Sequence, residues 1–92
     1  MSDLQRFESV WDALEEDPEK AENMKHRSAL LMAITGRIKQ EGLNQTAAAA
    51  RLNISQSRVS ALMNGKIDNF RLDTLINLAY RMGLQVSLQI AA

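Results

Sequence analysis

Ninety-two residues, 46% of them hydrophobic, suffice for one small domain with a core of its own and, at most, an arm beside it. The absence of cysteine excludes disulfides and thiolate metal sites, and no apolar run approaches the roughly 18 residues of a membrane span. A net charge of zero argues against a polyanionic partner only until its distribution is read: residues 1–24 hold eight acidic against two basic side chains, and residues 25–92 hold nine basic against three acidic.

That division, −6 ahead of +6, suits an anionic partner for the body and a cationic one for the lead-in. The plainer reading is that an acidic arm quiets a basic body. No secretory signal opens the chain, so a reducing cytoplasm is the expected location.

Residues 1–17 are acidic with one apolar cluster. Phe7, Val10, Trp11 and Leu14 follow i, i+3, i+4, i+7 and line one side of a short helix if one forms. Two readings stand: an amphipathic helix folded back on the core, or an arm that orders on a protein partner with its aromatics as anchors. Asp17-Pro18-Glu19 is a helix start, with Asp as N-cap, Pro at the first helical position and Glu at the positive end of the dipole. The helix is predicted to run to about Gln40 on a stripe of Met24, Leu31, Ile34 and Ile38 with Leu30 beside it, and to end at Gly42. Gly36 within it suggests a close helix crossing. His26, with no cysteine and no second histidine, reads as a structural residue rather than a metal ligand.

Asn44 to Lys66, NQTAAAARLNISQSRVSALMNGK, reads as two short helices joined by a tight turn. Asn44 caps Gln45–Leu52, Asn53 takes the left-handed turn that Asn tolerates, Ser55 caps Gln56–Asn64, and Gly65 ends it. On the second helix Val59, Leu62 and Met63 share one side; Ser57, Ser60, Ala61 and Asn64 share the other, with Gln56 at its edge. No acidic residue lies between Asn44 and Ile67, as a face pressed on phosphates requires. The Ala47–Ala50 run allows two helices to approach closely, and overpacking by Ala49→Leu is expected to cost about 1–3 kcal/mol. Lys66–Asn69 is a polar turn. Phe70, Leu72, Leu75, Ile76, Leu78, Ala79 and Met82 predict a further helix, capped with help from Asn69 or Asp73 and stopped by Gly83.

At Leu84 the period changes to two. Leu84, Val86, Leu88 and Ile90 alternate with Gln85, Ser87 and Gln89, which predicts a strand. A lone strand leaves its backbone groups unpaired. No other stretch alternates, so the expected partner is a second copy paired about a two-fold axis; the plain alternative is an edge strand on its own domain.

The central stretch resembles the lambda-repressor-like (XRE/Cro) helix-turn-helix through Leu43, Gln45, Ala49, Leu52, Ile54, Ser55, Gln56, Val59, Ser60, Asn64, Gly65 and Lys66, departing from it where Asn53 replaces the usual turn glycine. The resemblance implies an all-α bundle of four to five helices with a short C-terminal dimerising β-strand: an arm over 1–17, a DNA-binding domain over 18–83 and a dimerisation strand over 84–92. It implies double-stranded DNA as partner, read by a homodimer on a palindromic operator, with Gln45 on a phosphate and Gln56 on a base. The chemistry agrees, because a glutamine amide pairs bidentately with adenine. Ser57 and Ser60 suit bases or phosphates, Ala61 a thymine methyl, and Arg58 a guanine or a phosphate. Asn64, Lys66 and the amide of Gly65 suit the backbone.

With its acidic VWDAL lead-in, Pro-started helix, KIDNFRLDTL segment and terminal strand, the chain is also similar to HigA-type antitoxins. That similarity implies a repressor of its own operon, nucleoid-associated when bound, that neutralises a small basic RelE-like toxin through Phe7, Val10, Trp11 and Leu14. The alternatives are a stand-alone XRE-type regulator and a protein-interaction module whose helix-turn-helix reads no DNA. No cofactor is called for. One histidine, no cysteine and no phosphate-cradling glycine loop weigh against an enzyme.

Overall fold

The structure, a computed structural model, describes residues 17–92. The expectations placed on Phe7, Val10, Trp11 and Leu14 lie outside the described residues. The described chain is all-helical: α1 spans Pro18–Gln40, α2 Gln45–Leu52, α3 Gln56–Met63 and α4 Leu72–Arg81, with a short 3-10 turn at Ile67–Asn69 between α3 and α4.

The boundaries follow the capping chemistry in the sequence. Asp17 is extended and its Oδ1 accepts from the Glu19 N–H at 3.0 Å, with Pro18 behind it. The end of α1 closes where the Leu43 N–H donates to the Ile38 carbonyl at 3.1 Å. Leu31, Ile34 and Ile38 are its buried residues, while Met24 and Leu30 are half-buried. Gly36 does not mark a helix crossing. It is exposed, and a Cβ there would meet nothing within 4 Å. Two residues from both Ile34 and Ile38, it sits about 200° around the helix from each and faces away from the core.

One core joins all four helices: Leu31, Ile34 and Ile38 from α1, Ala48 and Leu52 from α2, Val59 and Leu62 from α3, Phe70, and Leu75, Leu78, Ala79 and Met82 from α4 and its end. Such burial drives folding at roughly 1.5–3 kcal/mol for each large apolar side chain. Ala48 is the alanine in full contact, with no exposed surface, whereas Ala49 is only half-buried against the core. The close approach expected at Ala49 therefore belongs one residue earlier.

α4 starts without a side-chain cap at Arg71. Asn69 belongs to the 3-10 turn, and the Asp73 Oδ1 accepts from the Thr74 N–H at 3.0 Å within the first helical turn. Ile76, counted with the apolar stripe, is exposed together with Tyr80 one turn later. Beyond α4 the Leu84 N–H donates to the Ala79 carbonyl at 2.9 Å, and Leu84 packs against the core. Val86, Leu88 and Ile90 are 40%, 84% and 88% exposed. No strand forms among the described residues, which offer residues 84–92 no second extended segment with which to pair.

Candidate nucleic-acid interface

The candidate interface is built from α2, its turn and α3. The Asn44 Oδ1 accepts from the Ala47 N–H at 2.8 Å and starts α2. Asn53 ends it at φ 56° and ψ 46°, a left-handed conformation in which the Ile54 N–H reaches the Ala49 carbonyl at 3.1 Å. An asparagine therefore makes the turn that the resembled family assigns to glycine. The Ser55 Oγ accepts from the Arg58 N–H at 3.2 Å and starts α3; it also lies 3.1 Å from the Ser57 Oγ. These caps fix the two helices in sequence. Ala48, Leu52, Val59 and Leu62 fix them in space by filling the same core.

This packing sorts the predicted contact residues. Gln45 and Gln56 are the first residues of α2 and α3, and both are exposed. Ser57, Arg58, Asn64 and Lys66 are exposed as well. Ser60 is half-buried, and its Oγ accepts from the Asn64 Nδ2 at 3.3 Å, so the two form one polar ridge. Ala61 is half-buried and packs against the core, presenting only part of its methyl outward. Gly65, at φ 72°, serves the turn: its N–H donates to the Leu62 carbonyl at 3.1 Å, and the Lys66 N–H donates to the Ala61 carbonyl at 3.0 Å. The Gly65 amide is therefore already bonded within the chain.

Electrostatics favour an anion on this surface. Across residues 45–66 the charged side chains are Arg51, Arg58 and Lys66. The acidic neighbour on the approach to α2, Glu41, is engaged by two guanidiniums: the Arg37 Nε at 3.2 Å and the Arg51 Nη1 at 3.4 Å. Half-exposed pairs of this kind contribute little stability, but they offset a carboxylate that would otherwise repel a phosphate approaching α2.

Three supports were missed by sequence reasoning. Arg27 of α1 donates through Nη1 to the carbonyls of Phe70 at 3.2 Å and Ile67 at 3.4 Å, tying α1 to the turn that follows α3. Its signal was present: Arg27 stands in register with Leu31, Ile34 and Ile38, where a solvated helix face would not place it. The Arg51 Nε donates to the Arg81 carbonyl at 3.0 Å, and the Arg81 Nη1 donates to the Leu52 carbonyl at 2.7 Å, so each arginine closes the other's helix end. The Arg58 guanidinium lies 4.6 Å from the centroid of the Phe70 ring. These two contacts join residues 30 and 12 positions apart, and nothing local in the sequence announces them. His26 is on the surface of α1, its Nε2 3.5 Å from the Glu22 Oε1. Among the described residues no helix is long and apolar enough to cross a membrane.

Comparison with known proteins agrees with this geometry. Residues 13–91 match the family described as "Helix-turn-helix domain". A solved chain described as "Putative XRE Family Transcriptional Regulator" is similar at 36% identity and a TM-score of 0.75, over 79% of this chain and 82% of that one. No curated protein matches. On the strength of the matched length and of the shared two-helix unit, the chain belongs to the XRE-like helix-turn-helix family.

Proposed function

We propose that the chain is a sequence-specific DNA-binding transcriptional repressor that enters the major groove with α3. The observation that carries this reading is the outer face of α3. Gln56, Ser57 and Asn64 are exposed beside the Ser60 hydroxyl, and no carboxylate lies between Asn44 and Ile67. In this reading Gln45 holds a phosphate, Gln56 reads a base, and Ser57 and Ser60 bond bases or phosphates. Ala61 supplies a partial apolar contact, while Asn64 and Lys66 hold the backbone about the turn at Gly65. One recognition helix covers few base pairs, so a homodimer with half-sites about 34 Å apart on a palindromic operator completes the site. The exposed Val86, Leu88 and Ile90, continuous with the packed Leu84, support pairing of two C-terminal segments.

The acidic lead-in supports a second role, as an antitoxin of the HigA type in which Phe7, Val10, Trp11 and Leu14 engage a small basic RelE-like toxin. The tests are selection of duplexes from a randomised pool, footprinting, and pull-down with a RelE-like toxin, each using the full chain and a chain lacking residues 1–17. The repressor reading expects one palindromic sequence to emerge; failure to enrich any duplex refutes it. The antitoxin reading expects truncation to abolish toxin binding and spare DNA binding. Toxin binding retained by the truncated chain would falsify the arm assignment.

A further inference from the structure

We propose that Phe70 is a positioning residue for DNA binding: its ring holds the Arg58 guanidinium on the flank of α3, where it takes a backbone phosphate and does not read a base. The inference rests on the DNA-binding reading above and refines the role of one residue within it.

Three observations meet at this pair. Arg58 is surface-exposed on α3, with its guanidinium carbon 4.6 Å from the ring centroid. The ring itself cannot follow a wandering side chain. Phe70 is 1% exposed, and its carbonyl is held by the Arg27 Nη1 at 3.2 Å, which anchors the platform to α1. On the helix wheel Arg58 lies about 40° from the buried Leu62 and about 100° from Ser57, so it leaves α3 beside the core and not from the centre of the outer face.

A ring face attracts the cation without taking a hydrogen-bond acceptor's place, so N–H groups of the guanidinium remain for a phosphate, which accepts from them bidentately. Among the described residues no carboxylate or carbonyl accepts from this guanidinium; the hydrogen bond that Arg58 makes to a side chain comes from its backbone N–H, to the Ser55 Oγ. A side chain already held over the ring loses less freedom when it binds, so the ring lowers the cost of forming the contact.

The test is a double-mutant cycle on DNA affinity using Phe70→Leu, Arg58→Gln and the pair, with a 30-base-pair duplex enriched by the wild-type chain as the probe. Arg58→Gln is expected to weaken binding, to lower the salt slope by about one per phosphate contact, and to enrich the same sequence as wild type. Phe70→Leu is expected to weaken binding about two- to fivefold when Arg58 is present and less than twofold in the Arg58→Gln background. An equal effect in both backgrounds makes Phe70 merely structural and overturns the proposal. So does a different enriched sequence for Arg58→Gln, which makes Arg58 a base reader. A measurement on the wild-type chain covers the case in which Phe70→Leu does not fold. Ring-current shifts of the Arg58 side-chain protons in NMR spectra should be present in the free chain and retained on DNA; their loss on binding refutes the platform role. If the wild-type chain enriches no duplex, the DNA-binding reading fails and this inference fails with it.

Discussion

Replacing Ala48 by leucine tests how α2 is seated. Ala48 has no exposed surface and sits among Leu52, Val59, Leu62 and the α1 residues of one core, whereas Ala49, its neighbour, is half-buried. Leucine adds three carbon atoms at a position with no path to solvent, so side chains must leave their rotamers or α2 must shift. Overpacking of this kind costs about 1–3 kcal/mol. For a domain of this size that corresponds to a fall in Tm of about 4–8 °C per kcal/mol, roughly 4–24 °C in all. At Ala49 a longer side chain has an open direction along the surface, and the burial it gains offsets part of the strain. The expected cost of Ala49→Leu is therefore under about 1 kcal/mol. Thermal and urea denaturation of the two variants side by side decide the matter. If Ala49→Leu is as costly as Ala48→Leu, the seating of α2 described here is wrong. An Ala48→Leu variant as stable as wild type refutes the close packing altogether.

Gly36→Ala should stabilise the chain by about 0.5–1 kcal/mol, because the site is helical, exposed and open to an added methyl; a loss of stability in the same melts contradicts that placement. Asn53→Ala should cost about 1–2 kcal/mol, since alanine lacks the local polar compensation that lets asparagine hold φ 56°, and an unchanged midpoint in urea argues against a left-handed turn. Arg27→Met keeps the apolar stem and removes two charged hydrogen bonds to the turn after α3, for an expected loss of about 1–3 kcal/mol; hydrogen exchange should quicken at residues 66–71, and unchanged exchange there counts against the clamp. Gln56→Ala should relax preference at one base pair per half-site by about 1–3 kcal/mol in binding titrations against single-base operator variants, whereas uniform weakening on every sequence reassigns Gln56 to the backbone.

Much of this molecule is legible locally. Asp17, Asn44, Ser55 and the left-handed residues at 42, 53, 65 and 83 mark the helix ends within a few positions of where they fall, because capping satisfies backbone groups by bonds that span five residues or fewer. The polar outer face of α3 and the absence of carboxylates from residues 45–66 are likewise properties of one segment read on a wheel. What one segment does not contain is the identity of its neighbour. Periodicity placed Ala48 and Ala49 in the same run, but the angle at which α2 meets the core decides which of them is enclosed. Composition made Gly36 look like a contact, and packing left it facing outward. Alternation from Leu84 to Ile90 announces a strand, yet strand formation needs a second extended segment, and none lies among the described residues.

The sequence alone determined the helices, most of their ends, the polar outer face of α3 and the family resemblance, since each depends on neighbours a few residues apart. Only the tertiary structure decided which side chains brace that face: Arg27 on the carbonyls of Ile67 and Phe70, Arg51 and Arg81 on each other's helix ends, and Phe70 beneath Arg58. Those contacts span 12 to 43 residues, and a guanidinium's choice among distant carbonyls and rings is set by how the helices pack.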